Sequence, residues 1–165
     1  MISLYNYFQR LASQNIDIAH TSTKKHFYRL DLDEVLNKLP SGIHFPAMIL
    51  EGYGISFTDK FSDNVMKNNQ CAFYILKGIK DINNIDEKVQ AFDDAEQIAL
   101  EILRRLKHDK RNFYFLSNFD FNEAEGIMVE NTINYAVGWR FVFPLSTSFD
   151  ADLTTNKWAD GGNNN

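Results

Sequence analysis

The chain has 165 residues, of which 44% are hydrophobic and 14% aromatic, and its formal net charge is −5. This length suits one domain with its own core, and the acidic balance, without a long run of Lys or Arg, argues against a free nucleic-acid-binding protein. No apolar stretch reaches the length of a membrane span, and the first residues lack the basic start and apolar core of a signal peptide.

The first 40 or so residues mix short helical and strand patterns. Residues 2–13 carry a wide apolar stripe, which predicts an N-terminal helix that docks on its own domain or on a neighbouring subunit. Residues 14–26 are polar and predict a loop. Phe27–Leu32 alternates weakly, like a strand, and Asp33–Leu39 predicts a short helix that the following Pro and Gly end.

Two apolar strands are predicted next. Phe45–Thr58 alternates over most of its length, with a bend suggested by its two glycines, and Pro46 has to open the strand or lie at an edge. Gln70–Lys77 is a second apolar run. It contains Cys71, the chain's only cysteine, so an intrachain disulfide is excluded. We expect this thiol to be buried in the strand and unreactive.

One long amphipathic helix, from about Ile85 to Leu106, is the strongest pattern in the sequence. Asn84 is placed to cap it, with Glu87 completing a capping box. Basic residues around 107–111 follow, and they either offset the negative end of the helix or contact phosphate. The residues predicted to share its apolar stripe are Ile85, Val89, Phe92, Ala95 or Ala99, Ile98, Ile102, Leu103 and Leu106.

Aromatic strands are predicted after the helix. Phe113–Phe121 alternates aromatic and polar residues and predicts a strand, with a turn after it. Ile127–Leu145 predicts one long bent strand or two shorter ones, and Pro144 should end pairing on its edge. Residues 146–165 are mostly polar, with a few large apolar residues and a Gly- and Asn-rich end, which predicts an arm.

These elements predict an α+β fold. We expect an antiparallel or mixed sheet of about four strands, with the long helix packed on one face, an N-terminal helix and an extended C-terminal arm. Residues 1–145 form the single predicted domain, and residues 146–165 form the arm.

The residues that carry enzyme chemistry do not form a known motif. The four histidines lack the spacing of a helical metal pair, and Asp31–Glu34 and Asp150–Asp152 lack the remainder of a calcium loop, so we interpret them as turns or helix caps. Five acidic residues could supply paired carboxylates for hydrolysis, although the sequence brings no two of them together: Glu51, Asp59, Glu123, Glu125 and Glu130. We expect no catalytic residue, no cofactor and no metal, and therefore no enzyme.

The order of elements resembles the tail-terminator and head–tail joining proteins of tailed bacteriophages. The matching segments are the N-terminal helix Ile2–Ala12, the strand opening Phe45–Gly52, the strand Ala72–Lys77, the helix with Ala91, Ala95, Ile98, Ile102 and Leu106, and the closing strand Val137–Phe143. The resemblance covers roughly residues 1–145 and is a pattern of elements rather than a signature. Small ferredoxin-like domains give similar orders.

The resemblance implies a structural virion protein, assembled in the bacterial cytoplasm, that forms a ring in the neck or at the tail end. Such rings are hexamers or dodecamers that contact portal, neck or tail-tube proteins and leave a channel through which DNA passes without sequence-specific binding. An acidic surface suits that channel, because carboxylates repel phosphates. No membrane is involved.

Five large apolar residues in polar surroundings are the predicted interface between subunits: Phe57, Phe61, Phe149, Leu153 and Trp158. The alternative interpretation is that they close over their own core. Two other functions stay open. One is a monomeric or dimeric binding module with a ferredoxin-like sheet, and the other is an enzyme that uses carboxylates such as Glu51 and Glu130.

Overall fold

A computed structural model describes residues 3–59, 65–131, 134–152 and Lys157. Its elements are, in chain order, α1 (Leu4–Gln14), β1 (Phe27–Leu30), α2 (Leu32–Asn37), β2 (Ala47–Glu51), β3 (Gly54–Thr58), β4 (Val65–Gly78), α3 (Ile85–Asp109), two 3-10 helices (Tyr114–Leu116 and Phe121–Glu123), β5 (Glu125–Asn131) and β6 (Ala136–Phe149). The predicted α+β class, with a mixed sheet and one long helix, is confirmed, although the sheet has six strands rather than about four.

A long ladder between β4 and β6 forms the axis of the sheet. These two strands pair antiparallel over their full length, from Val65 opposite Phe149 to Gly78 opposite Ala136. The strand order is β1-β2-β4-β6-β5, and β1 runs parallel to β2. On its other edge β4 pairs first with β3 and then with β2.

The prediction of one strand over Phe45–Thr58 is wrong. The chain leaves the strand conformation at Gly52 and Tyr53, so β2 and β3 occupy successive stretches of the same β4 edge. The two glycines mark this break, as the sequence suggested, but they separate strands rather than bend one. The open alternative for Ile127–Leu145 is settled as two strands, β5 and β6.

The main core lies between one face of the sheet and the helices α1 and α3. Phe8 of α1 packs its ring against Phe73 of β4 and Phe143 of β6, with ring centroids about 6 Å apart. The predicted stripe of α3 is buried from Ala95 onward, and Phe92 is half-buried. Ile85 and Val89 were placed on the same stripe, yet they are 73% and 53% exposed, so that part of the prediction is wrong.

The opposite face of the sheet has a smaller core under α2. Val35 and Leu39 pack there with Ile49, Tyr74 and Leu76. Asp31 caps α2 with a full capping box, because its side chain accepts from the Glu34 amide and the Glu34 side chain accepts from the Asp31 amide. The acidic run at 31–34 is therefore a helix cap, as predicted.

Only one of the two hydrogen bonds of the predicted capping box of α3 forms. Asn84 Oδ1 accepts from the Glu87 amide at 3.1 Å. The Glu87 carboxylate turns away from Asn84 and accepts from the amides of Lys80 and Asp81 instead. It thereby orders the loop that leads from β4 into the helix.

The predicted strand Phe113–Phe121 is wrong. Its backbone closes local bonds, from the Leu116 amide to Phe113 and from the Ser117 amide to Tyr114, so a short 3-10 helix forms at Tyr114–Leu116, and a second one begins at Phe121. The aromatic residues still pack, because the rings of Phe113 and Phe115 lie 5.2 Å and 5.3 Å from the ring of Tyr7. The alternating aromatic residues therefore contact α1 instead of forming a paired strand.

Candidate functional site

The far end of the β4–β6 ladder forms a three-stranded extension that we call the flap. It consists of β3, residues 65–70 of β4 and residues 144–149 of β6. Its residues are exposed or half-buried except Leu145, whereas Cys71–Leu76 in the next part of β4 are all buried. The segment predicted as an arm from residue 146 therefore begins as the last part of β6.

Two of the five predicted interface residues meet on the flap. The rings of Phe57 and Phe149 lie 4.9 Å apart, in an edge-on arrangement. Phe57 is 54% exposed and Ile55, on the same face, is 51% exposed. Phe149 is 42% exposed, so about half of the pair stays in contact with solvent, and neither ring belongs to the described core. The other three, Phe61, Leu153 and Trp158, lie outside the described residues.

The two outer edges of the flap differ. Beyond Val142, where β5 stops pairing, the β6 edge is covered: Pro144 has no N–H, and Asn118 Nδ2 donates to the Ser146 carbonyl at 2.8 Å. Tyr114 Oη lies 3.4 Å from the Ser148 carbonyl. Such devices keep other chains from pairing with an edge.

β3 has no comparable cover. In the described part of the chain its outer edge pairs with no strand, and Gly54–Thr58 contains neither a charged residue nor a proline. An exposed edge of this kind is a template for pairing with another chain.

A groove runs along the base of the flap. It encloses about 330 Å³ between the start of α1, the first 3-10 helix and the flap strands. The lining residues are Leu4, Tyr53, Lys67, Asn69, Tyr114, Phe115, Leu145, Thr147 and Ser148.

A second apolar surface, which we call the helix patch, comprises Ile85, Val89 and Met128, all exposed. A 3.0 Å ion pair from Lys88 of α3 to Glu130 of β5 joins its two elements. Sequence reasoning found Ile85 and Val89 by their periodicity but placed them inside the protein. Met128 was missed, because a single Met in an alternating strand gives no sign of its exposure.

Two carboxylates of the enzyme hypothesis, Glu51 and Glu130, are held apart. Glu51 receives Arg140 in two bonds of 2.8 and 2.9 Å and the Tyr74 hydroxyl at 2.6 Å. Burial alone would raise the pKa of Glu51, but the hydrogen bonds from Arg140 and Tyr74 outweigh it and lower that pKa. Glu130 pairs with Lys88, and the strand register places it on the opposite face of the sheet from Glu51.

A buried charge cluster at the end of α3 was not found from the sequence. Asp109 accepts from the Tyr7 hydroxyl and from Arg105 Nε, both at 3.0 Å, and lies 3.0 Å from His108 Nδ1. Burial favours the neutral acid, but the hydrogen bonds from His108, Arg105 and Tyr7 lower the pKa of Asp109. The cluster joins α1 to α3. The i, i+4 spacing of Arg105 and Asp109 is the one sign of it in the sequence.

Cys71 is fully buried, as predicted, and burial raises the pKa of its thiol to about 12.

His20 Nδ1 accepts from the His26 amide at 3.1 Å. Burial, with the charges of His26 and Lys25, lowers the pKa of His20. Within residues 3–59, 65–131 and 134–152, no three His, Cys, Asp or Glu side chains are grouped to hold a metal ion.

None of the helices in the described ranges is both long and apolar enough to cross a membrane. No family model, curated protein or solved structure matches the chain.

Proposed function

We propose that this protein is a structural subunit that assembles into a ring in the virion of a tailed bacteriophage, at the head–tail junction or the tail end. The observation that carries the proposal is the pair of different apolar surfaces, the flap and the helix patch, on one chain. A surface that binds a different surface on the next copy makes a heterologous contact, and such contacts generate rings when the rotation closes.

The flap supplies the stronger half of this argument. Aromatic residues are enriched at the centres of protein interfaces, and Phe57 and Phe149 form an exposed aromatic pair. The open β3 edge beside them can add backbone hydrogen bonds to a neighbouring copy. The exposed aromatic pair and the open β3 edge, which both favour association, thus lie at the same end of the molecule.

The place in the virion rests on the resemblance of the element order and on charge. A hexameric or dodecameric ring between portal, neck and tail-tube proteins must let DNA pass without holding it. The net charge of −5 suits a wall that repels phosphates. In this proposal the chain has no catalytic role and no cofactor, and it is assembled in the bacterial cytoplasm.

A binding module is the second candidate, and the groove beside the flap favours it. Its volume of about 330 Å³ is at the small end of the range for small-molecule sites. Under this alternative the protein is a monomer or dimer and the groove holds a ligand of its own. No ring would then form at any concentration.

The test is the mass of the purified protein by light scattering, with electron microscopy of the same sample. Three chains should be compared: the full chain, a chain ending at Asp152, which keeps β6 intact, and the double variant Phe57→Ser/Phe149→Ser. We expect ring-sized particles from the full chain and mainly monomers of 19.1 kDa from the double variant.

The matched control is Ile16→Ser, which removes another highly exposed apolar side chain outside both surfaces. It should assemble like the full chain. A full chain that remains monomeric at every concentration, alone and with portal or tail-tube proteins, would contradict the proposal.

A further inference from the structure

We propose that the groove at the base of the flap receives the helix patch of the next copy. Ile85 and Val89 enter the groove, and carboxylates at their border pair with Lys67. This inference rests on the proposed ring and names the two surfaces that meet in it. The occupant is therefore a second copy of this chain.

The groove is apolar apart from a few polar groups, and Lys67 carries the only charge among the lining residues that the structure describes. Within the described residues Lys67 has neither an ion pair nor a side-chain hydrogen bond. A cation beside an apolar cleft favours an occupant that combines apolar and acidic groups.

The helix patch has the matching chemistry. Asp86, Asp93 and Glu96 lie along the same side of α3 as Ile85 and Val89, and none of these three carboxylates has a partner in the described part of the chain. Apolar side chains bordered by carboxylates are the complement of an apolar cleft bordered by Lys67. Two helix patches facing one another would instead bring like charges together, which is unfavourable.

The two surfaces are too far apart to meet within one chain. Thr147 lines the groove, whereas Trp139 is the β6 partner of Met128 in the helix patch. Eight residues of strand separate these positions, which is roughly 26 Å at about 3.3 Å per residue. A contact between them joins different copies head to tail, as a closed ring requires.

Charge reversal tests the pairing. Lys67→Glu should raise the concentration at which half of the protein is assembled by at least about tenfold, since it places like charges together. Asp86→Lys/Asp93→Lys should do the same. Combining all three substitutions should restore assembly to within about threefold of the unmodified chain, because the charges are then exchanged across the same contact.

The control is Lys24→Glu, which reverses an exposed cation in the loop between α1 and β1 and should leave assembly unchanged. Thermal unfolding of each variant verifies that it is folded.

A second measurement leaves Lys67 unchanged and uses cysteine cross-linking. A mixture of Thr147→Cys chains and Val89→Cys chains should form disulfide-linked dimers under mild oxidation much faster than either chain alone.

The outcomes separate the two proposals. If the full chain assembles and Lys67→Glu assembles equally well, or the triple variant is not restored, this inference is wrong and the ring stands. If the mixed cysteine chains link no faster than each chain alone, the inference is again wrong. If the full chain never assembles, the proposed function fails and this inference fails with it.

Discussion

The two ends of the β4–β6 ladder have opposite environments although the same two strands build both. From Cys71 to Leu76 every β4 residue is buried, under helices on one face and partly under α2 on the other. From Val65 to Gln70 the same strand is half-buried or exposed, and its only strand neighbours in the described ranges are β3 and β6. One end provides stability, and the other is available for contacts with other molecules.

The residues differ accordingly. The buried end reads Cys-Ala-Phe-Tyr-Ile-Leu, whereas the flap end reads Val-Met-Lys-Asn-Asn-Gln. A monomeric protein has little reason to extend a polar ladder by several residues beyond its core and to place an exposed aromatic pair on it. Under the proposed function the flap contacts other copies, so substitutions at the buried end should lower stability and substitutions in the flap should lower assembly.

The largest effect on stability is expected from Phe73→Ala at the buried end. The Phe73 ring lies about 6 Å from the rings of Phe8, Phe141 and Phe143, so its removal leaves a cavity that the core cannot refill. We expect a loss of about 3–5 kcal/mol in the free energy of unfolding, measured by urea denaturation. A loss below about 1 kcal/mol would contradict the division between the two ends.

The Asp109 cluster is the next largest test. Asp109→Asn weakens the bonds from Arg105 and Tyr7 in a buried setting, so we expect about 1–3 kcal/mol of lost stability. Asp17→Asn, at an exposed carboxylate, is the control and should change little.

The same cluster predicts a dependence on pH. The pKa of Asp109 is lower in the folded protein than in the unfolded chain, so its stabilisation is present at neutral pH and fades as the pH falls below about 4. Asp109→Asn should therefore lose less stability than the unmodified chain between pH 5 and pH 2, within the range of about 2–5 where carboxylates titrate. Equal acid sensitivity of the two chains would show that Asp109 is not involved.

The flap should give the reverse result. Phe57→Ser/Phe149→Ser removes two exposed rings, and exposed substitutions usually change stability by about 0.5 kcal/mol or less. We expect nearly unchanged unfolding together with loss of assembly, measured on the same samples. A large loss of stability would mean that the flap belongs to the core.

Sequence reasoning succeeded where periodicity and burial coincide. The stripe of α3 from Ala95 onward and the run Cys71–Leu76 were predicted correctly, because these residues are buried by contacts within the chain itself. It failed at Phe113–Phe121, where alternation is normally a strand signal but the aromatic residues pack on α1 through 3-10 helices. Tertiary contacts decided that segment.

The candidate site was predicted in part, through Phe57 and Phe149, from the general rule that large apolar residues in polar surroundings mark interfaces. Their meeting depends on the registers of β3 with β4 and of β4 with β6, and no local pattern gives those registers. Ile85 and Val89 show the reverse problem. Their helical periodicity is the same as that of the core residues, and only the position of the sheet shows that they are exposed.

The smallest change in assembly is expected at the covered edge of β6. Asn118→Ala removes the donor to the Ser146 carbonyl, and we expect a loss of only about 0.5–1.5 kcal/mol. The more informative change is in association: with this carbonyl freed, the β6 edge becomes available for pairing, so the variant should form irregular aggregates beside rings. Electron microscopy distinguishes these products. Rings alone, with no aggregates, would show that Pro144 and Tyr114 are sufficient to block this edge and that β3 is the only edge of the flap open to other copies within the described chain.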